Sequence, residues 1–375
     1  MQYREFGNTG VKISALGFGA MRLPGEEKDG QFIIDEETSI KIIHRAFELG
    51  VNYIDTAYGY CGGKSEIVVG KALKGYRDKV YLSTKMSTWN VKQHGDYRRF
   101  LEEQLKKLDV DYIDFYHFHS LGKDRWENIV LKYDLVKEAY QAKSEGLIKH
   151  ISFSFHDKPE VMMQLIDTGI FETVLCQYNL LDRANEEAIA YAKSKGLGVA
   201  IMGPVGGGRL ASASEIITGA MKGKAKSTPE VALRFVLANP NVSCALSGMS
   251  TIEMVEENAR VASIEEPLSA EDWENINITF ERTKKLADLY CTGCEYCLPC
   301  PQGINIPKVF SIMNYHKVYG LTEYAKKQYE NLGKKEEFGS SPEDCIECGQ
   351  CEDKCPQFIK IRDQLKRIQK EFSAL

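Results

Sequence analysis

The sequence predicts an α/β fold, a closed (β/α)8 TIM barrel followed by a smaller, mainly helical unit. Three observations lead there. Eight apolar, β-rich runs alternate with helical patterns between residues 14 and 246, ionisable residues end successive runs, and eight of the eleven cysteines lie after residue 290. Each parallel crossover needs its own helix, so repeated alternation favours a closed barrel over the alternative, an open doubly wound sheet. No Gly-x-Gly-x-x-Gly opens a helix after a strand; Gly17-Phe18-Gly19 lacks the third glycine.

In chain order, Tyr3–Phe6 and Val11–Ser14 flank the turn residues Gly7-Asn8-Thr9-Gly10, a hairpin suited to closing one end of a barrel. The eight runs are Ser14–Phe18, Val51–Ile54, Val80–Ser83, Tyr112–Phe118, Ile148–Phe155, Thr173–Cys176, Gly198–Met202 and Val242–Leu246. The first helix carries an apolar stripe through Ile40, Ile43, Phe47 and Leu49, with Asp35 as its cap and Gly50 as its stop. Thr228-Pro229 reads as a cap followed by proline, and Ser250-Thr251-Ile252-Glu253 as a capping box. A further helix is expected over Ser269–Leu289, and two polar ones around Pro307–Val318 and Thr322–Leu332. The expected division is 1–285 for the barrel and 286–375 for the cysteine-bearing domain.

A chain of 375 residues with 43% hydrophobic content can bury one large core and one small one. Its net charge of −5 supplies no basic face for nucleic acid. The N-terminus lacks the charged start and apolar core of a signal peptide, and no run reaches the ~18 apolar residues of a membrane span, so a soluble, cytoplasmic protein is expected.

Asp55 closes the second run, Lys85 the third and His119 the fourth, with Tyr60 five residues after Asp55. Barrel sites gather at the C-terminal ends of strands, which is where these residues fall. A phenol of ordinary pKa ~10 is a weak proton donor at neutral pH. An ammonium beside it stabilises the phenolate, and a carboxylate keeps that ammonium charged. Singly, each of these residues is more often structural: a half-buried tyrosine, an ion pair. His117, two residues before His119, is read as packing or outer support, and Trp89 as either pocket wall or interior packing. Gly203-Pro204-Val205-Gly206-Gly207-Gly208-Arg209 can bring backbone N–H groups close to a pyrophosphate, or can be an ordinary flexible loop.

On these motifs the chain resembles the aldo-keto reductases over residues 3–285. The resemblance implies a tetrad of Asp55, Tyr60, Lys85 and His119 and a nicotinamide cofactor, NADP or NAD, at the barrel mouth. Its contacts would be Gly19 and Met21, then Ser154 and Gln177 for the carboxamide, Met202 under the ring, and Gly203, Val205 and Gly206 at the phosphates. Gly248, Ser250, Glu257 and Asn258 would lie at the adenosine end. Phe155 stands where the family usually has asparagine, Met202 where it has an aromatic ring, and Gly248 and Met254 where it often has basic residues. The implied substrate is a small carbonyl compound or the corresponding alcohol.

Cys345-x2-Cys348-x2-Cys351-x3-Cys355-Pro356 is the run of bacterial-type ferredoxins, whose fourth cysteine ligates the other cluster. Cys291, Cys294, Cys297 and Cys300-Pro301 form its partner, with a shorter last spacing. The expected groups are two [4Fe–4S] clusters, one on Cys291, Cys294, Cys297 and Cys355, the other on Cys345, Cys348, Cys351 and Cys300. Zinc is the alternative, although zinc ribbons use two pairs rather than triplets followed by Cys-Pro. The helical spacer makes the unit similar to α-helical ferredoxins fused to oxidoreductases. The clusters imply a redox partner protein, and an alternative function in which the barrel binds nicotinamide only for electron transfer or redox sensing. Cys61, Cys176 and Cys244 read as buried apolar residues without a role.

Overall fold

The computed structural model describes residues 1–28, 31–288, 297–355 and 359–375. They form two compact units, Met1–Gly207 with Ala232–Pro267, and Gly208–Val231 with Leu268–Leu375.

In the first unit, strands β1 (Tyr3–Glu5) and β2 (Lys12–Ser14) form the antiparallel hairpin expected from the Gly-Asn-Thr-Gly turn. The remaining strands are β3 (Leu16–Gly19), β4 (Gly25–Lys28), β5 (Gln31–Ile34), β6 (Tyr53–Asp55), β7 (Tyr81–Met86), β8 (Ile113–Leu121), β9 (Ile148–Phe155), β10 (Thr173–Gln177), β11 (Gly198–Met202) and β12 (Cys244–Ser247). Eight of them close a parallel barrel in the order β10-β11-β12-β3-β6-β7-β8-β9. Each of the eight runs read from the sequence supplies one barrel strand.

The barrel interior is filled by Phe6, Tyr53, Phe115, Leu175, Ala200, Cys244 and Leu246. Phe6 comes from the hairpin and packs edge-on against Tyr53 and Phe115, with ring centroids 5.6 and 4.9 Å away. Gly7 (φ +63) lies so close to β11 that a Cβ there would stand 2.2 Å from the Gly198 nitrogen, which only glycine permits. The helix Glu36–Glu48 begins as expected, the Asp35 carboxylate accepting from the Thr38 N–H at 3.0 Å.

Three features depart from expectation. The helix Ile252–Ala262 is capped by Thr251, whose Oγ1 accepts from the Met254 N–H at 3.3 Å, not by Ser250. Thr251 is the last extended residue (φ −139, ψ 160), so Glu253 falls one position early for a capping box. The hairpin β4–β5 and the final helix Ile361–Ser373 were not anticipated. Asp29-Gly30 was the available signal for the first, and the apolar spacing Ile361, Leu365, Ile368, Phe372 for the second.

The second unit packs the helices Ile306–Lys317, Thr322–Tyr329 and Ile361–Ser373 around Val309, Phe310, Ile312, Met313, Ala325, Leu365 and Ile368. The segment that follows β11 belongs to this unit: Arg209 donates to the Tyr315 hydroxyl at 2.8 Å, and Ser214 Oγ to the Tyr319 carbonyl at 2.7 Å. Among the described residues no helix is long and apolar enough to cross a membrane.

Candidate active site

Parallel register places Asp55 opposite Ser83, and Lys85 opposite His117, so the ends of β6, β7 and β8 present these side chains at one mouth. Lys85 and Asp55 are 1% exposed. Lys85 Nζ donates to Asp55 Oδ2 and, at 2.7 Å, to the Thr56 carbonyl. Ser83 Oγ donates to the other Asp55 oxygen at 2.8 Å. Burial alone would push the Lys85 ammonium down, but Asp55 and then Tyr60 oppose it, and the net shift is upward. The charge stays on the nitrogen.

Tyr60 opens a short turn in which Cys61 (φ 51) and Gly62 (φ 64) are both left-handed, so the backbone reverses right after the phenol. Its ring centroid lies 4.8 Å from Lys85 Nζ and 6.0 Å from the His119 ring. Burial first, then Lys85, holds the His119 imidazole down to about 2, so the ring is neutral at pH 7. His119 Nδ1 is buried with no partner among the described residues. His117 is fully buried and held down to about 3, again by burial and then Lys85. Thus the structure brings Asp55, Tyr60, Lys85 and His119 together. Trp89 is 49% exposed and its ring lies 4.6 Å from His119, which settles its place at the mouth rather than in the interior.

A buried network that the sequence reading missed supports Lys85 from behind. Gln104 Nε2 donates to the Lys85 carbonyl at 3.1 Å, Thr84 Oγ1 to Glu66 at 2.7 Å, and Tyr116 to Gln104 at 2.6 Å. These residues sit on helices and strands far apart in sequence, and no local pattern links them.

The residues expected at a cofactor lie around the same mouth of the barrel. Ser154 Oγ, on β9, accepts from the Ser120 N–H at 2.7 Å and keeps its own proton to donate. Gln177 ends β10, and a Cβ on Gly203 (φ +61) would stand 2.8 Å from its Oε1, so glycine lets the amide lie against the loop. Asn179 Nδ2 donates to the Gly203 carbonyl at 3.1 Å, and the Gly206 N–H closes a turn onto the same oxygen at 2.8 Å. Met202 ends β11, Val205 is partly exposed, Gly19 pairs with Asp55 across β3 and β6, and Met21 is exposed. Arg22, which the sequence reading passed over, donates to the Gly207 carbonyl at 2.7 Å and lies alongside Gly248. Ser250 contacts Met254 sulfur at 3.6 Å, Glu257 is partly exposed, and Asn258 is buried with its amide donating to Ser247 Oγ at 3.2 Å.

In the second unit a cavity is lined by Cys297, Cys300, Cys345, Cys348 and Cys351, with Arg362 at its wall. Four of these thiols are the set expected on one cluster. Among the described residues no three metal-binding groups converge on a single-ion site; the thiols are instead spread around a cavity. Arg362 pairs with Glu352 at 2.8 Å, and its buried Nε has no partner among the described residues. A cavity walled by thiols beside a guanidinium fits a group with anionic sulfur surfaces. Cys355 is partly buried and does not line this cavity. Cys291 and Cys294 lie outside the described residues.

Residues 15–280 match the model of the aldo/keto reductase family, and residues 290–359 that of the 4Fe-4S dicluster domain. Among curated proteins, an L-galactose dehydrogenase of Arabidopsis thaliana is 30% identical, covering 71% of this chain and 89% of that protein. An NADH-specific methylglyoxal reductase of Escherichia coli is 29% identical over 56% of this chain and 69% of that one. Among solved structures, a holo aldo-keto reductase of Bacillus halodurans superposes with a TM-score of 0.63 at 27% identity, covering 74% of this chain and 96% of its own. An aldo/keto reductase of Klebsiella pneumoniae in complex with NADP and acetate gives 0.61 at 26% identity, covering 73% and 94%. The barrel, its strand-end tetrad and these matches together make the chain a member of the aldo/keto reductase family, an oxidoreductase that carries a 4Fe-4S dicluster domain after the barrel.

Proposed function

We propose that the chain interconverts a small carbonyl compound and its alcohol with NADP or NAD, using Tyr60 as the proton donor. The observation that carries this is Lys85 Nζ, held charged by Asp55 and 4.8 Å from the Tyr60 ring centroid. When bound, the nicotinamide supplies or accepts the hydride. Tyr60 gives its proton to the carbonyl oxygen as charge develops there, and Lys85 stabilises the phenolate left behind. Neutral His119 donates one N–H to the same oxygen and orients it. Ser154 and Gln177 would hold the carboxamide, Met202 the nicotinamide ring, and the Gly203–Gly206 turn with Val205 the phosphates. Gly19 and Met21 complete the nicotinamide side; Gly248, Ser250, Glu257 and Asn258 serve the adenosine.

Residues 286–375 are the cluster-bearing domain of this reading, after a barrel spanning 1–285. The thiol-lined cavity supports one [4Fe–4S] cluster on Cys300, Cys345, Cys348 and Cys351; a second takes Cys291, Cys294, Cys297 and Cys355. Thiolates kept free for iron belong in a reducing compartment, and the cytoplasm is the proposed location. The same cavity favours a second reading, in which nicotinamide and clusters exchange electrons with a redox partner protein. Bleaching of cluster absorption by NAD(P)H without substrate selects it; carbonyl turnover with silent clusters rejects it.

Tyr60→Phe is expected to lower kcat/KM for aldehyde reduction by about 10³-fold or more while the cofactor still binds, followed by quenching of protein fluorescence. Undiminished turnover in that variant removes Tyr60 from the reaction.

A further inference from the structure

Strand β8 ends irregularly. Its register with β9 slips between Phe118 and Leu121, and within the slip Ser120 takes φ +57, a left-handed conformation that a residue with a side chain adopts only under local constraint. The constraint comes from both sides. The Ser120 N–H is taken by Ser154 Oγ at 2.7 Å, and the Ser120 carbonyl accepts from Arg125 Nη1 at 2.6 Å. The Arg125 guanidinium carbon lies 5.5 Å from the centroid of the Trp89 ring, which in turn lies 4.6 Å from the His119 ring. Three side chains therefore adjoin one another at the reacting end of the site: imidazole, indole, guanidinium.

Arg125 is partly buried, and the partner its guanidinium has is the Ser120 carbonyl, with no carboxylate pairing with it among the described residues. Two acids of the surrounding segments are engaged elsewhere. Asp124 accepts from Asn128 at 2.7 Å, and Asp157 accepts the N–H groups of Lys123 and Lys158, each at 2.8 Å. The largest charges acting on the His119 imidazole are basic, Lys85 first, then His117, His156 and Arg125. A planar guanidinium with donors to spare, on an aromatic platform beside a neutral imidazole, matches the geometry of a carboxylate.

Resting on the carbonyl-reductase reading, we propose that Arg125 and Trp89 form an anion subsite beside His119, and that the substrate is a carbonyl compound carrying a carboxylate. Arg125 holds the carboxylate, the Trp89 ring covers the intervening carbons, and the carbonyl oxygen reaches His119 and Tyr60.

The test compares 4-carboxybenzaldehyde with the near-isosteric, neutral 4-formylbenzamide on the holoprotein. The native chain should prefer the acid in kcat/KM by about tenfold or more, Arg125→Gln should bring the ratio to about one, and Arg125→Lys should keep part of it. Equal rates in the native chain, or a ratio that Arg125→Gln leaves intact, overturn the subsite. Calorimetric binding of 4-carboxybenzaldehyde to the Tyr60→Phe chain separates this from failure of the reaction itself. If neither aldehyde is reduced, the carbonyl-reductase reading falls, yet binding that weakens about tenfold with Arg125→Gln still upholds the subsite. Absent binding, or binding that Arg125→Gln does not change, overturns it.

Discussion

The mouth of the barrel and the cysteine cavity hold their functional groups in opposite ways. Asp55, Lys85 and His119 stand on strands that pair with neighbours on both sides, and their positions are fixed by the sheet before any ligand arrives. Cys300, Cys345 and Cys348 stand on turns and loops, and Cys351 on the four-residue helix Gln350–Asp353 that follows Gly349 (φ 78). One site carries its own counter-charge inside the protein. The other gathers cysteine sulfurs on loops and a short turn of helix, so its order would depend on the metal group it is proposed to bind.

That contrast can be broken in three places, in decreasing size. Removal of iron by an anaerobic chelator should abolish the cooperative unfolding of the cluster-bearing unit and the visible absorption, while the melting of the barrel persists. A chelated protein whose calorimetric trace keeps both transitions would show that loops and cavity stand without metal. Next, Lys85→Met leaves the Asp55 carboxylate buried and unpaired, and should cost roughly 3–5 kcal/mol in urea unfolding. Adding Asp55→Asn should return most of it, because both charges are then gone; a loss below about 1 kcal/mol in the single variant would mean the pair is not prepaid by the fold.

The smallest effect is one of pH. His119 and His117 titrate near 6.5 when unfolded but are held down to about 2 and about 3 when folded. Between these values the unfolded chain binds more protons than the folded one, so stability rises with pH across the window and is fully present above about 6.5. At pH 5 each histidine should cost about 2 kcal/mol relative to pH 7.5, read from urea unfolding of His117→Asn and His119→Asn against the parent. Parallel pH profiles in parent and variants would contradict the burial argument.

The barrel was legible because its signals are local. Strand runs such as Ile148–Phe155 and Gly198–Met202 are bounded by turn residues, and Asp55, Lys85 and His119 fall at the ends of such runs. What escaped is what the chain assembles at long range. Gln104 meets the Lys85 carbonyl and Arg22 meets Gly207 only after the barrel closes, and no periodicity connects those positions. The cap at Thr251 escaped for another reason: Ser250 and Thr251 are chemically equivalent caps, and only backbone conformation chooses between them. Arg125 escaped because the slip at Ser120, whose carbonyl it binds, is a property of strand register.

The hairpin Tyr3–Ser14 gives the barrel a floor. With Phe6 pressed between Tyr53 and Phe115, and Gly7 lying flush on β11, the end of the barrel away from the tetrad is sealed by the chain's own beginning. Among the described residues that end of the barrel is closed by the hairpin, so on the reading proposed above cofactor and substrate would both reach Lys85 through the opposite mouth.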